Sequence, residues 1–382
     1  MRDEAVKDYI NRMLNDDGLT PAQKKTLKRY DLESEKNYSL KLLSRRNQLV
    51  PICKFATNVK KPFEDVTRQD IEDYIYNLEG KKPSTLEDYK LKFKKFFKWL
   101  YQTDGYPEVV KWIKIKNHNN HKLPEDILKP GEVKTLIEAA DNIRDRAIIA
   151  LLYESGCRLG EITALKQKDV KMDQYGAVMV VSGKTGQRRI RLIESVPYLI
   201  QHLNNHPNTG DNVPLFVNKK NPNIQLHEQG IQKTLAALSK RALGRHIHPH
   251  LLRHSRLTQL AKDFTESELK IMAGWTGSSR MPAVYVHLSG ADIEKKILER
   301  AGLIDKEEMK KDCEILKPLE CARCKEVNPA TAMFCFKCGA ALTLKTAMKV
   351  EEDKSEVTTE LMTAILQDPG VMAAITKAMQ KA

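Results

Sequence analysis

Apolar residues recur at helical spacing through most of the first 116 residues. One such stretch reaches Phe55, and a second begins at Val66. A third begins at Ser84, where Ser-Thr-Leu-Glu predicts a capping box closed by Glu87. This repeated spacing predicts an all-helical N-terminal domain over residues 1–116.

After a polar linker, the pattern over residues 124–303 is mixed and predicts a second domain. A strongly apolar helix is expected from Asp145 to Glu154. Two β-rich runs, 177–182 and 188–193, are joined by Gly-Lys-Thr-Gly, which predicts a hairpin. The predicted fold class is therefore mainly α with a small β-hairpin or sheet (α+β).

The region after residue 303 is predicted to consist of three segments. Residues 304–320 are charged and predict a linker helix, and residues 343–382 predict a helical tail. Between them, residues 321–342 contain two Cys-x2-Cys pairs separated by ten residues. The four cysteines are Cys321, Cys324, Cys335 and Cys338. This spacing is typical of a zinc ribbon, in which four thiolates surround one Zn²⁺ and leave no open position, so the expected metal is structural.

The chain has a net charge of +14, and the excess is unevenly placed. Residues 1–300 carry 52 Lys+Arg against 37 Asp+Glu, whereas residues 301–382 carry 12 against 13. A concentration of bases in the first two domains favours a polyanion partner, because neutralised phosphates release counterions. The alternative is an ordinary basic surface. No run of 18 apolar residues and no signal-peptide pattern occurs, so a cytoplasmic protein without a membrane partner is expected.

Lysines follow one face of the helix predicted after Ser84. Lys90, Lys94 and Lys98 are spaced four residues apart, among the apolar residues of the same segment. Contact with a phosphate backbone is one interpretation of this stripe. The other is a solvated row of lysines on an amphipathic core helix.

Five residues in the second domain suggest one covalent chemistry when they are taken together. They are Arg158, Lys184, His250, Arg253 and Tyr285. Two arginines present planar sets of donors to the nonbridging oxygens of a phosphate, where negative charge accumulates during substitution at phosphorus. A tyrosine hydroxyl is then a suitable nucleophile. We interpret the set as a site that cuts phosphodiesters without ATP, a metal or another cofactor.

The segments around these residues resemble the ordered motifs of the tyrosine recombinases, or phage-type integrases. The matching segments are Gly156-Cys-Arg158-Leu-Gly-Glu161-Ile, Gly-Lys184-Thr, His250-Leu-Leu-Arg253-His-Ser, Ala273-Gly-Trp275 and Tyr285-Val-His-Leu-Ser. The resemblance covers residues of about 37 to 300. It implies a helical DNA-clamping domain followed by a tyrosine recombinase catalytic domain.

The resemblance also implies a role for each residue. Arg158 and Arg253 would clamp the scissile phosphate, and Tyr285 would attack it. His250 would act on protons near the tyrosine. Lys184 would be the general acid that protonates the departing 5′-hydroxyl.

Four further residues lie within or beside these motifs. Glu161 would orient the site. Trp275 stands where many members have histidine, and its indole can make contacts but cannot transfer a proton. His254 and His287 are interpreted as structural.

The function that the resemblance implies is site-specific recombination through a 3′-phosphotyrosyl intermediate. Double-stranded DNA would be the partner, which also implies association with the nucleoid. A tetramer would bring two duplexes together, with a segment at residues 293–303 docking on a neighbouring subunit. Integration or excision of a mobile element is the expected use. A type IB topoisomerase and a noncatalytic DNA-binding relic of a recombinase remain alternatives.

Overall fold

The structure is a computed structural model, and it divides the chain into two compact units, Met1–Asn120 and His121–Ala382. The residues that it describes are 2–78, 80–116, 127–183, 185–287, 297–298, 301, 315–367 and 369–379. Lys184, most of the predicted docking segment 293–303 and most of the predicted linker helix 304–320 lie outside this part of the chain.

The described part of the N-terminal unit is helical. Its α-helices are α1 (Arg2–Leu14), α2 (Pro21–Lys36), α3 (Leu42–Val59), α4 (Arg68–Tyr76), α5 (Pro83–Tyr101) and α6 (Glu108–Lys111). Thr67 is the N-cap of α4 and forms a capping box with Asp70, close to the helix start expected at Val66. The capping box predicted at Ser84 is wrong, because α5 begins one residue earlier with Pro83 after the N-cap Lys82, and Glu87 instead pairs with Lys90.

The core of this unit is rich in aromatic residues. Phe55, Phe93, Phe96 and Phe97 are each fully buried, and their rings meet at centroid distances of 5.3 to 6.4 Å. Apolar rings at these separations and tilts stabilise a core beyond their buried area. The helices of the unit therefore pack around one aromatic centre.

The C-terminal unit begins with a helical domain that contains a small sheet. Its helices are α7 (Pro130–Glu138), α8 (Ile143–Ser155), α9 (Leu159–Thr163), α10 (Val196–Asn204), α11 (Glu228–Leu243), α12 (Pro249–Leu260), α13 (Glu266–Ala273) and α14 (Met281–His287). The antiparallel sheet has the order β1 (Val170–Asp173), β2 (Gly176–Gly183) and β3 (Gly186–Leu192). Strands β2 and β3 form the predicted hairpin, and β1 adds a strand that was not predicted.

Two apolar clusters organise this domain. The larger one surrounds α8, which is buried on nearly every side, and includes inward-facing residues of the sheet such as Met179 and Leu192. The smaller one contains Leu257, Leu269 and Tyr285 and lies where α12, α13 and α14 meet. The mostly helical structure with a small antiparallel sheet confirms the predicted α+β fold class.

The chain then forms a small two-stranded module followed by two helices. Strands β4 (Leu319–Glu320) and β5 (Val327–Asn328) pair antiparallel beside the four cysteines. Helices α15 (Leu344–Gln367) and α16 (Pro369–Met379) follow. No helix within the described ranges is both long and apolar enough to cross a membrane.

Candidate functional site

Arg158 lies on a sharp turn between two helices. Helix α8 ends at Gly156, which adopts a left-handed conformation with φ of 57°, and Arg158 is then the N-cap of α9. Its side chain donates to Glu161 Oε1 at 3.1 Å and to the carbonyl of Gly274 at 3.1 Å. About a third of the side chain remains exposed, so this guanidinium is oriented from two sides and still faces solvent.

Arg253 lies on α12 and is almost completely buried, with 2% of its surface exposed. It donates to the carbonyls of Gly156 and Ala273, both at 2.7 Å. Its guanidinium lies 5.7 Å from the ring centre of Trp275. Burial and the charge of Arg158 lower the pKa of Arg253 to about 10. Two arginines are therefore held on either side of the turn that begins at Gly156.

Tyr285 lies on α14 with only 1% of its surface exposed. Its hydroxyl and Nδ1 of His254 are 2.8 Å apart and share a hydrogen bond. The rings of His254 and Trp275 both lie 5.4 Å from the ring of Tyr285, each tilted by 28°. The tyrosine is thus stacked between an imidazole and an indole.

The position of His254 differs from the structural role expected for it from the sequence. It is the imidazole that contacts the Tyr285 hydroxyl, whereas His250 is exposed one helical turn earlier. The rings of His250 and His254 are 4.4 Å apart and nearly perpendicular. The sequence contained a signal for this contact, since His254 lies four residues after His250 and therefore on the same face of α12.

A buried ion pair supports the two arginines. Arg188, whose side chain is 7% exposed, donates to both carboxylate oxygens of Glu161 at 3.0 and 2.7 Å. It also donates to the carbonyl of Met272 at 3.0 Å and to Sγ of Cys157 at 3.4 Å. Glu161 in turn accepts from the backbone N–H of Arg158 at 2.8 Å. Arg188 therefore joins strand β3 to the turn that carries Arg158, a role not predicted from the sequence.

The pKa values of Glu161 and Tyr285 are shifted in opposite directions, although burial acts to raise both. Burial alone would raise the pKa of Glu161, but the hydrogen bond from Arg188 and further donors lower it to about 2. Burial raises the pKa of Tyr285 to about 12, although the charges of Arg253 and Arg158 act in the opposite direction. Glu161 is therefore a carboxylate and Tyr285 a neutral phenol at neutral pH. We call Arg158, Glu161, Arg188, Arg253, His254 and Tyr285 the arginine–tyrosine cluster.

Two glycines make room for this cluster. A Cβ atom on Gly183 would lie 2.4 Å from Glu161 Oε1, and one on Gly274 would lie 2.5 Å from Arg188 Nη1. Gly274 also has φ of 61°, which disfavours other residues. Its carbonyl accepts from Arg158 and from Thr185 Oγ1, both at 3.1 Å. Thr185, in the loop between β2 and β3, is thus hydrogen-bonded to the same carbonyl as Arg158.

The three lysines of the predicted stripe lie on α5 and have partners within the N-terminal unit. Lys94 is buried and donates to the carbonyl of Ile113 at 2.9 Å. Lys90 pairs with Glu87 at 2.8 Å, and Lys98 donates to the carbonyl of Asp104 at 2.6 Å. To contact a phosphate, each of these amines would have to give up its present partner. This is hardest for Lys94, because its side chain is buried.

The four cysteines converge at one point of the two-stranded module, and we call them the cysteine cluster. Their sulfur atoms all lie within 4.8 Å of one another. The pairs Cys321–Cys338 and Cys324–Cys335 are each 3.6 Å apart, too far for a disulfide bond. Four thiolates around Zn²⁺ at about 2.3 Å would place sulfur atoms roughly 3.8 Å apart. The donor set and its spacing therefore fit one tetrahedral metal ion.

The turns that carry the cysteines repeat the same backbone shape. Lys325 and Gly339, each directly after the second cysteine of a pair, have φ of 60° and 71°. Their N–H groups donate to the carbonyls of Cys321 and Cys335, both at 2.9 Å. Fully buried Asn328 links the two turns, since its Oδ1 accepts from the N–H of Phe336 at 3.0 Å. The module thus contains two equivalent turns, one at each cysteine pair.

The sequence of this chain is similar to those of known proteins. The family model described as the phage integrase family matches residues 126–291. The tyrosine recombinase XerC of Bacillus pumilus is 26% identical over 283 residues, which span 69% of this chain and 91% of that protein.

Solved structures are also similar. The XerH site-specific recombinase bound to a difH substrate aligns with a TM-score of 0.57 and 20% identity, covering 72% of this chain and 84% of that one. A lambda integrase tetramer bound to a Holliday junction aligns with a TM-score of 0.55 and 15% identity, covering 68% and 76%. At these identities the structural comparisons establish the fold alone.

Proposed function

Because the chain belongs to the tyrosine recombinase family of DNA-cleaving and DNA-rejoining enzymes, we propose that Tyr285 cuts DNA through a covalent phosphotyrosyl bond. The Tyr285 oxygen forms a bond to the scissile phosphorus while the bond from phosphorus to the 5′ oxygen breaks. The 3′ end stays attached to the tyrosine, and a 5′-hydroxyl leaves. Attack by a 5′-hydroxyl reverses the step, so the energy of the broken bond is retained.

The observation that carries this proposal is the hydrogen bond between the Tyr285 hydroxyl and His254. A proton acceptor must lie within hydrogen-bond reach of the proton that it removes, and 2.8 Å satisfies that condition. Because burial keeps the phenol neutral, the hydroxyl needs such an acceptor when it attacks. We assign this role to His254 and a phosphate contact to exposed His250.

Arg158 and Arg253 are the groups that hold the phosphate in this proposal. Each guanidinium is already oriented by backbone carbonyls, Arg158 by Gly274 and Arg253 by Gly156 and Ala273. Donors that are fixed before the reaction stabilise the charge of the five-coordinate phosphorus without a cost of reorganisation. Trp275 packs against Tyr285 and Arg253 and so positions both.

Lys184 is our candidate for the general acid that protonates the leaving 5′ oxygen. Its neighbours support this assignment, because Gly183 lies against Glu161 and Thr185 is bonded to the Gly274 carbonyl. An ammonium on a flexible stem can give up a proton, whereas a guanidinium cannot.

Double-stranded DNA is the partner that this chemistry requires. The net charge of +15 over residues 1–300 supports it, since clustered bases neutralise phosphates. Lys90 and Lys98 remain candidates for backbone contacts in the N-terminal unit. We further propose that four copies act together on two duplexes, and that the exchange integrates or excises a mobile element.

The cysteine cluster is proposed to hold one structural Zn²⁺. The ion would stabilise the fold of residues 321–342, in which few side chains are buried. Because four thiolates would complete its coordination, no position would remain for a substrate. No step of strand cleavage is assigned to it.

The test is formation of a covalent adduct on nicked duplexes that carry candidate attachment sites, analysed on denaturing gels. Wild-type protein should form an adduct, and Tyr285→Phe should form none while it binds duplex DNA equally well. The matched control Tyr30→Phe removes another buried hydroxyl, which bonds Gln48 in the N-terminal unit, and should leave the adduct intact. An adduct with Tyr285→Phe would show that another residue is the nucleophile.

The same assay separates the two histidines. His254→Asn should slow adduct formation by roughly 100- to 10,000-fold, the usual contribution of a general base. His250→Asn should slow it less, because the hydroxyl is hydrogen-bonded to His254, against which the His250 ring packs edge-on. A larger loss in His250→Asn would reverse the assignment. Exchange of strands between two duplexes, rather than relaxation of one supercoiled circle, would distinguish a recombinase from a type IB topoisomerase.

A further inference from the structure

The segment just before the cysteine cluster is packed into the core of the preceding domain. Leu316 is 6% exposed and belongs to the same apolar cluster as Ile137 and Tyr153. Together with Tyr198 these residues line one small pocket, and Ile315 packs against the cluster beside them. Leu316 lies three residues before β4, the first strand of the ribbon. Its packing therefore attaches the start of the ribbon to helices α7, α8 and α10.

A second contact comes from inside the ribbon. Thr331 lies between the two cysteine pairs, and its Oγ1 is 3.0 Å from the hydroxyl oxygen of Tyr198 on α10. Tyr198 is 2% exposed, and the neighbouring Ala330 is 8% exposed. We call Leu316 and Thr331, with the surface of the domain that they meet, the ribbon dock. Because the two contacts lie on opposite sides of the first cysteine pair, they fix the ribbon and not only its connector.

The ribbon dock lies against the helices that lead to the arginine–tyrosine cluster. Tyr153 is two residues from the end of α8, and Gly156 and Arg158 follow directly. The Tyr153 hydroxyl donates to Gln259 on α12 at 3.1 Å, and the Arg256 guanidinium lies 5.7 Å from its ring. Helix α12 also carries Arg253 and His254. Tyr153 therefore connects the dock to both helices that position the site.

Folding of the ribbon is itself linked to the metal. Few of its residues are buried: Cys321, Cys335, Asn328 and Ala330 are among them, while Met333, Phe334 and Phe336 are each more than 40% exposed. A module of this kind does not retain its turns when its cysteines lose the ion. Thr331 can bond Tyr198 only from the folded ribbon.

We propose that metal binding at the cysteine cluster regulates the catalytic domain through the ribbon dock. In the loaded state Thr331 and Leu316 stabilise α8 and α10. In the metal-free state Thr331 withdraws from Tyr198, only the Leu316 contact remains, and the end of α8 that precedes Arg158 opens more often. This inference rests on the proposed metal site, and it assigns to that metal an effect on a domain that it does not touch.

The experiment adds Co²⁺ and, separately, Zn²⁺ to the full chain after treatment with a chelator. Absorption from cobalt–thiolate bonds reports occupancy of the cysteine cluster. Hydrogen exchange of peptides from α8 and α10 reports the stability of the docked helices. Protection of both peptides should rise about 5-fold or more in step with the cobalt signal, since one hydrogen bond alone accounts for roughly that factor. Peptides from α3, in the other unit, should not change.

Variants separate the dock from the metal. Tyr198→Phe combined with Thr331→Val keeps the shape of the contact and removes its hydrogen bond. This variant should bind Co²⁺ with an unchanged spectrum yet lose most of the metal-dependent protection. Met333→Ala, two residues from Thr331 and 52% exposed, is the matched control and should behave as wild type.

The outcomes distinguish the two proposals. A normal cobalt spectrum without any change of exchange in α8 and α10 would overturn the dock and leave the metal site standing. The same would follow if the double variant kept the full metal-dependent protection. Absence of cobalt–thiolate absorption would overturn the metal site, and the regulatory inference with it.

Discussion

The arginine–tyrosine cluster and the cysteine cluster gather polar side chains in opposite ways. The cysteines come from 18 consecutive positions and are brought together by two similar turns. The members of the arginine–tyrosine cluster come from positions 158 to 285, and its three arginines donate to carbonyls at the ends of α8 and α13. In our proposal the first arrangement is held by a metal ion, whereas the second depends on the packing of a whole domain. Substitutions in the two clusters should therefore destabilise the protein for different reasons.

The largest expected effect is loss of the metal from the cysteine cluster. Cys335→Ser combined with Cys338→Ser should unfold residues 321–342, because structural Zn²⁺ sites of this type contribute roughly 10–16 kcal/mol of binding free energy. Dispersion of the ribbon's amide signals in NMR spectra and cobalt absorption measure the change. Cys53→Ala, in the N-terminal unit, should leave both signals unchanged. Well-dispersed ribbon signals in the double variant would show that the fold does not need the ion.

The next effect concerns the buried ion pair of the other cluster. Arg188→Met removes the cation but leaves the Glu161 carboxylate buried, which should lower the free energy of unfolding by about 3–5 kcal/mol. Denaturant unfolding of the full chain measures it. The matched variant Arg191→Met removes an exposed pair with Asp173 and should cost less than about 1 kcal/mol. Equal losses in the two variants would mean that Arg188 contributes no more than a surface charge.

The smallest effect is a dependence of stability on acid pH. The pKa of Glu161 is about 2 in the folded protein, below the value of about 4.3 for an unfolded glutamate. A lowered pKa means that Glu161 stabilises the fold fully above about pH 4.3 and progressively less as the pH falls toward 2. Unfolding measured between pH 3 and 5 should show a partial loss in wild type and a flatter curve in Glu161→Gln. Asp141→Asn, an exposed control, should retain the wild-type slope.

The contrast also explains what could be predicted. The cysteine cluster was readable as a candidate metal site because its ligands are close in sequence, and the structure brings the four sulfur atoms together. Arg158, Arg253 and Tyr285 could be named from local motifs, and the fold class from apolar spacing. The four-residue spacing places His250 and His254 on one face of α12, but which of them contacts the tyrosine depends on how α12 meets α14.

Arg188 is the clearest example of a signal that was overlooked. Along β3, Ile190 and Leu192 face the interior, and Arg188 shares their side of the strand. A charged residue on the buried face of a strand needs a partner, and Glu161 is that partner. Lys94 shows the opposite case, in which regular spacing suggested a surface stripe but the side chain is buried.

The two glycines at the arginine–tyrosine cluster affect how a mutational scan of this enzyme should be interpreted. A side chain at Gly183 or Gly274 would have to displace the end of Glu161 or Arg188 from the ion pair. Both positions should therefore tolerate almost no replacement in a selection for recombination, although neither has a side chain to offer DNA. If sensitivity to substitution were taken as evidence of DNA recognition, Gly183 and Gly274 would be misassigned as residues that recognise the target sequence. Their role is instead to leave room for the ion pair between Glu161 and Arg188.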